Sequence, residues 1–329
     1  MNNFEHLSCT ILLDDAQSSS DKPSSRLYQS PLKTIQASNA GDLEVALQEI
    51  EQAIHEQQYV VTCLSYELGE HLLGLTPKKS KTPWVQAWVF KDVQKLSKDD
   101  VNQWLKAQTN QVVDAPVIQK TTSSITQQQF EGDIAKIQEW IKAGDTYQVN
   151  HTYRIQGELS GSPLAAYELL RQKQPGPYGA YIEHANGWVL SCSPEWFLQK
   201  TGNTLMTKPM KGTAKVGESS SEELHDDAKN RAENVMIVDL LRNDLSKISL
   251  SGSVKVPHLF EVQQHGDVLQ MTSTISSTSK ENLRLKELLQ AIFPCGSVTG
   301  APKKRTMELI QELESEPRNL YCGAIAWFD

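Results

Sequence analysis

Asn186-Gly187 is the dipeptide that most restricts how this chain can fold. It separates two apolar runs, Tyr178 to Ile182 and Trp188 to Cys192, and Asn-Gly between such runs is a strong signal for a two-residue hairpin turn. A second hairpin is predicted where Thr201-Gly202-Asn203 joins Phe197–Gln199 to Thr204–Thr207. Tyr59 to Tyr66 and Trp84 to Phe90 read as further strands. Helical patterns surround them. Leu43, Leu47, Ile50 and Ile54 recur at helical spacing over 41–56. Thr126 and Gln129 resemble a capping box, opening a helix with Phe130, Ile134, Ile137 and Ile141 on one face and a stop at Gly144. Further helices are expected over 222–246, Leu283 to Ile292 and 302–314. Hairpins beside long helices predict an α+β layered fold, not an alternating βαβ pattern. The polar stretch 94–125, with a short helix over Val101 to Ala107, reads as a linker. It divides the chain into regions 1–110 and 124–329.

The composition narrows the function. Of 329 residues 39% are hydrophobic and 22% charged, an ordinary globular balance. A net charge of -8 argues against a nucleic-acid binder. No apolar run of about 18 residues is found, so no membrane span is expected. The first fifteen residues carry Glu5, Asp14 and Asp15 and lack the pattern of a secretory signal. Cys9, Cys63, Cys192, Cys295 and Cys322 are scattered and odd in number, which favours free thiols in a reducing, cytoplasmic setting.

Four stretches carry possible chemistry. In Thr207-Lys208-Pro209-Met210-Lys211-Gly212-Thr213 the Pro and Gly predict a tight turn that aims Lys211. In dry or cationic surroundings such an amine is a nucleophile; in water it is an ordinary lysine. The loop Gly296-Ser297-Val298-Thr299-Gly300-Ala301 precedes Pro302, expected as the first helical residue. Lys303, Lys304 and Arg305 then oppose the helix dipole, a conflict that an acidic ligand or plain solvation resolves. The run Val235 to Leu241 predicts a buried helix, which would enclose Asp239 with Arg242 as its partner and let Glu233 face a site. A carboxylate there could hold Mg2+. Glu195, in Ser193-Pro194-Glu195 before Trp196 and Phe197, is either a general acid raised by apolar neighbours or a solvated edge glutamate.

Taken in order, Ser193-Pro194-Glu195, Lys208 to Thr213, Arg231-Ala232-Glu233-Asn234 with Asp239 to Asp244, and Gly296 to Lys303 resemble the chorismate-utilising enzymes. Asp145 to Asn150 and Tyr321 to Ile325 fit the same pattern. Leu12-Leu13-Asp14-Asp15 and Leu64-Ser65-Tyr66-Glu67 resemble the aminodeoxychorismate synthase component I branch. The resemblance implies a β-sandwich flanked by helices. The region 1–110 would correspond to the N-terminal part of anthranilate synthase component I, and 124–329 to the chorismate-binding catalytic part. It implies amination of chorismate to 4-amino-4-deoxychorismate in 4-aminobenzoate and folate biosynthesis, with ammonia from a glutaminase subunit. Lys211 would attack the ring and Glu195 would move the proton. Thr213, Gly212, Thr299, Gly300, Ala301 and Gln148 would contact substrate, Glu233 would hold Mg2+, and Asp239 and Arg242 would support the site. Lys at 211 and Gln at 148 are the pattern of the 4-amino product; the anthranilate branch has Ala at the first position and the water-using branch Lys at the second. Anthranilate synthase component I and a non-catalytic chorismate-fold protein are the alternatives. Leu269 stands where many members have His, and Cys295 where they have Gly. The family continues past Asp329 with further strands, a carboxylate-binding loop and a second Mg2+ glutamate, so a C-terminally incomplete fold with its last strands missing and exposed sheet edges is expected.

Overall fold

A computed structural model describes residues 9–109 and 115–329. The chain runs β1 (Thr10–Asp14), β2 (Ser25–Gln29), β3 (Lys33–Ala37), α1 (Ala40–His55), β4 (Tyr59–Leu64), α2 (Tyr66–Leu72), β5 (Val85–Phe90), β6 (Gln94–Leu96) and α3 (Lys98–Thr109). After residue 114 follow β7 (Val117–Ser123), α4 (Gln127–Ala143), β8 (Gln148–Val149), β9 (Ile155–Ser160), α5 (Pro163–Lys173), β10 (Tyr178–His184), β11 (Gly187–Ser193), β12 (Trp196–Thr201), β13 (Thr204–Lys208) and β14 (Met210–Lys215). The rest is α6 (Ser221–Asp226), α7 (Ala228–Ser246), β15 (Lys255–His265), β16 (Val268–Thr278), α8 (Leu285–Ile292), a 3-10 turn (Gly296–Val298), β17 (Gly300–Ala301), α9 (Lys303–Leu313) and β18 (Ala324–Phe328).

Both hairpins form, β10–β11 closing at His184↔Gly187 and β12–β13 at Thr201↔Thr204. The first enters a sheet ordered β11-β10-β1-β2-β6. A second sheet is ordered β18-β4-β5-β3. Ile11, Tyr28 and Ile182 of one pack against Val61, Trp88 and Phe90 of the other, so the two sheets make the expected sandwich. On its far face the first sheet is covered by α3 and α5, through Leu12, Leu27, Val101, Leu105 and Tyr167. The second is covered by α1 and α8, where Leu47, Ile50, Val85 and Leu289 meet. A third sheet, β12-β13-β16-β14 with β15 beside β16, lies against α7 and α8 through Leu205, Ile275, Ile237, Leu241 and Ile292. Strands from both sequence regions interleave: β1, β2 and β6 share a sheet with β10 and β11, and β18 pairs with β4.

Several expectations need correction. The linker 94–125 holds β6, the twelve-residue α3 and β7, since Val101 and Leu105 reach the core. The helix over 222–246 is two helices, because Asp227 leaves helical geometry at φ -64, ψ 113 and caps α7 by accepting from Asn230 N. In α4 the capping box and the left-handed Gly144 are as predicted, but only Ile137 is buried; Phe130 and Ile141 are exposed. β18 is the edge of its sheet, and Trp327 there lies under the Arg26 guanidinium at 3.5 Å from the ring centroid. Leu269 is buried beside Leu224 and Met271, so its side chain serves an apolar cluster. Among the described residues no helix is long and apolar enough to cross a membrane.

Leu205 is fully buried between the third sheet and α7. Leu205→Ala should lower the unfolding free energy by about 2–5 kcal/mol, as cavity-forming core changes do. Urea titration measures this, and a loss well below that range would mean this interface is loosely packed.

Candidate active site

Lys211 does not sit on a turn. β13 and β14 run in one register along β16, with Thr207 opposite Ile275 and Met210 opposite Thr272. They are one strand interrupted at Pro209, which has no N–H to give the ladder. Its carbonyl still accepts from Ser273 N at 3.1 Å. Beyond Met210 the register slips by one, so that Thr213 faces Gln270. The slip is a bulge holding Lys211 and Gly212. Gly212 has φ +87, and a Cβ on it would meet the Asn230 side chain of α7 at 3.0 Å. The Pro-Met-Lys-Gly signal was real; it encodes a bulge, which re-aims a side chain much as a turn would. Thr213 resumes the ladder and is exposed.

Glu195 lies where the chain passes from β11 in the first sheet to β12 in the third. It is not a solvated edge residue. Ser297 Oγ donates to its Oε1 at 2.5 Å. Burial raises the carboxyl pKa above the ordinary 4.5, against the Ser297 hydrogen bond and the Lys211 charge, which both lower it. Trp196, next to Glu195, pairs with Lys208, three residues before Lys211, so the inter-sheet crossing and the bulge lie on neighbouring strands. Ser297 was missed as a site residue. Within a Gly-Ser-Val-Thr-Gly loop nothing in the sequence singles out its hydroxyl. Burial and the Glu195 charge push the neighbouring Cys295 thiol up to about 12, which keeps it protonated.

Gln148 joins this place through the backbone. β8 pairs with β17, Ala301 opposite Gln148 and Gly300 opposite Val149. Gly300 has φ +141, and a Cβ there would fall 2.0 Å from the Gln148 carbonyl oxygen. Among the described residues the buried Gln148 Oε1 has no hydrogen-bond partner. Gly296 is equally constrained, since a Cβ would fall 2.3 Å from Leu240 of α7. The Thr299 hydroxyl turns inward to the carbonyls of Gly296 and Cys295, at 3.2 and 3.3 Å, so it braces its own loop. Ala301 is buried, its carbonyl accepting from Thr146 Oγ1 at 3.0 Å.

The helix after this loop is not an open anion site. Pro302 is the N-cap of α9 and Lys303 its first residue. Lys303 is buried and donates to Asp244 Oδ2 at 2.5 Å and to the Ile292 carbonyl at 3.0 Å. The cation that opposes the dipole is thus answered from inside, by an acid of α7. Arg305 is paired with Asp145 and Glu308, each at 3.2 Å.

On α7, Asn230 touches Gly212, Leu240 touches Gly296 and Asp244 holds Lys303. Glu233 lies on this stripe, seven residues before Leu240, and is half-buried. Asp239 lies off it. It is exposed, in an ion pair with exposed Arg242 at 2.8 Å, and the buried-acid expectation fails because the outer stripe with Val235 faces solvent. Among the described residues no three His, Cys, Asp or Glu side chains gather as a metal cage. No ion pair involves Glu233 among them either. A single free carboxylate fits Mg2+ as one hard ligand beside waters and a ligand's own oxygens.

Two outcomes follow from this geometry. Gly300→Ala should cost about 2 kcal/mol or more, because its left-sided φ and the Gln148 carbonyl leave no room; wild-type stability in chemical denaturation would show that the loop can move aside. Glu195 holds its proton to higher pH folded than unfolded. Its stabilising contribution is therefore complete below the ordinary 4.5 and is lost as pH rises through the raised value. Glu195→Gln cannot ionise, so it should melt higher than wild type at about pH 8, with the gap closing near pH 4. Calorimetry at both pH values decides, and a pH-independent gap would contradict an enclosed carboxyl.

Comparison with known proteins gives the family and the fold. The family described as chorismate binding enzyme matches residues 9–329. Aminodeoxychorismate synthase component 1 of Escherichia coli (strain K12) is 39% identical over 242 residues, 70% of this chain and 53% of the relative. The protein of the same name from Bacillus subtilis (strain 168) is 39% identical over 209 residues, 62% of this chain and 44% of the relative. The chain spans about half the length of these curated relatives. Anthranilate synthase component I from Streptococcus pneumoniae TIGR4 superposes with a TM-score of 0.77 at 23% identity, covering 99% of this chain and 82% of that one. That likeness carries the fold, including the sandwich and its flanking helices. The chain belongs to the chorismate binding enzyme family.

Proposed function

We propose that this chain carries the chorismate-aminating centre of an aminodeoxychorismate synthase. The observation that supports it most is Glu195, hydrogen-bonded to Ser297 and one strand away from the bulge that carries Lys211. The name shared by relatives at 39% identity supports the same chemistry. Chorismate and ammonia enter; 4-amino-4-deoxychorismate and water leave.

Lys211 first loses a proton to solvent, and its neutral Nζ then adds to C2 of the ring. The double bonds shift and the C4–O bond breaks. Glu195 gives its proton to the departing hydroxyl, which leaves as water. Burial that favours the protonated carboxyl prepares it for that step. Ammonia then bonds to C4, the double bonds shift back, and the C2–N bond to Lys211 breaks to return a neutral amine. The new ammonium group gives its extra proton to the Glu195 carboxylate, which closes the cycle. Gln148 cannot act as a base toward water, which keeps hydrolytic addition out. Glu233 would hold Mg2+, which when bound supplies positive charge for substrate carboxylates. The words "component 1" in the relatives' names imply a partner component; in this reading it is a glutaminase that supplies the ammonia, in a cytoplasmic pathway leading to 4-aminobenzoate and folate.

Incubation with chorismate and Mg2+ but no ammonia should give an adduct of chorismate less water on Lys211, seen by intact-mass and peptide mass spectrometry. Lys211→Ala should give none. Turnover with ammonium but no adduct would remove Lys211 as the nucleophile. A fluorescent, aromatic product would assign the chain to the anthranilate reaction instead.

A further inference from the structure

Behind the Gly296–Ala301 loop lies a buried polar cluster that the chemistry above does not use. Its centre is Arg318, four residues after Glu314 at the end of α9. The two side chains are 3% and 6% exposed. Nε donates to Glu314 Oε2 at 2.8 Å and Nη2 to Glu314 Oε1 at 2.6 Å, a bidentate pair. The remaining donors go elsewhere. Nη2 also reaches the Asn150 carbonyl at 2.6 Å and Nη1 the Val298 carbonyl at 3.1 Å. The guanidinium carbon lies 4.5 Å from the Tyr66 ring centroid. Glu314 is itself fixed, accepting from Thr152 N at 2.9 Å. The His151 ring stands between Glu314, 3.6 Å from Nδ1, and Asp133, 3.4 Å from Nε2.

The two carbonyls belong to different segments. Asn150 is two residues beyond Gln148. Val298 is between Ser297, which holds Glu195, and Thr299. One planar group therefore braces the strand that carries Gln148 against the loop that carries Ser297, beside the direct bonds from Asn150 N to the Thr299 carbonyl at 2.9 Å and from Asn150 Nδ2 to the Val298 carbonyl at 3.0 Å. A buried ion pair adds little net stability over an apolar pair of the same shape. The geometry it imposes is another matter, because the bidentate pair with Glu314 fixes the plane of the fork that reaches both carbonyls.

We propose that Arg318, oriented by Glu314, is a positioning residue for the chorismate site, clamping Asn150 and Val298 so that the paired segments keep the spacing between Gln148 and the Ser297–Glu195 pair. This rests on the proposed reaction. Arg318 touches none of the reacting groups; it acts through Asn150 and Val298. Lysine keeps the charge for Glu314 but has a single ammonium where the two carbonyls need a fork.

Arg318→Lys and Arg318→Ala should be compared with wild type by hydrogen exchange and by turnover of chorismate with ammonium and Mg2+. In Arg318→Lys, amides 147–150 and 298–301 should exchange at least about tenfold faster while the sandwich core keeps its protection. The kcat should fall on the order of 100-fold, with a smaller change in KM, as misplaced site groups cost rate more than binding. Millimolar guanidinium should restore part of the activity of Arg318→Ala. Faster exchange throughout the chain, or wild-type turnover in Arg318→Lys, would overturn the assignment. If wild type does not aminate chorismate, the proposed reaction fails, and unchanged local exchange in Arg318→Lys would separately overturn the spacing role.

Discussion

The structure depends on a loop that three distant segments can approach only because it lacks side chains at two points. A Cβ on Gly296 would collide with Leu240, and one on Gly300 with the Gln148 carbonyl. With both absent, β8 closes on the loop to backbone distance and α7 packs its Leu240 side chain against it. Ser297, between those glycines, then meets Glu195 from the crossing of two sheets. Neither glycine contributes a side-chain attraction. Each removes a repulsion that would hold the segments apart, and the polar contacts exist because of that.

Closeness has an electrostatic consequence. A carboxyl shut away from water resists ionisation, and Glu195 does so despite a hydrogen bond and a nearby cation that both favour its charge. The same cation would be less effective on an open surface, where solvent screens it. The chain thus keeps an acid that is costly to ionise beside an amine. Such an arrangement is a poor use of a core position for stability and a good one for moving a proton. By contrast Lys303 and Asp244, both buried, satisfy each other and the Ile292 carbonyl, which leaves them nothing to offer a ligand.

Much of this was legible in the sequence, and the failures have physical causes. Asn186-Gly187 and the Thr126–Gln129 box act locally, so the hairpin and the α4 start were readable residue by residue. The sandwich was not readable that way. It needs β10 beside β1 and β18 beside β4, pairings between residues well over a hundred positions apart, and only the family resemblance supplied them. Asp239 misled because seven consecutive residues looked apolar enough to bury a whole helix, whereas Val235 and Asp239 share a wet stripe. Asp244, five residues on, is the acid that is actually enclosed, and its partner Lys303 lies 59 positions away. Pairings of that range leave no trace in local composition.

The bulge at Lys211 shows how local signals and distant constraints combine. Pro209 and Gly212 told that the backbone departs from regular geometry, but not how. The answer came from β16, which holds β13 and β14 in a common register up to Met210 and so forbids the reversal that a turn would need. With both ends of the segment pinned to one partner strand, a surplus residue can be absorbed only by bulging. Gly212 then takes the positive φ against Asn230, and α7 is drawn in alongside. The bulge, the helix and the half-buried Glu233 one turn beyond Asn230 are thus consequences of a single register slip. A change that moved the slip by one residue would turn the lysine to the opposite face of the sheet, away from Glu195, without altering a single residue of the candidate site.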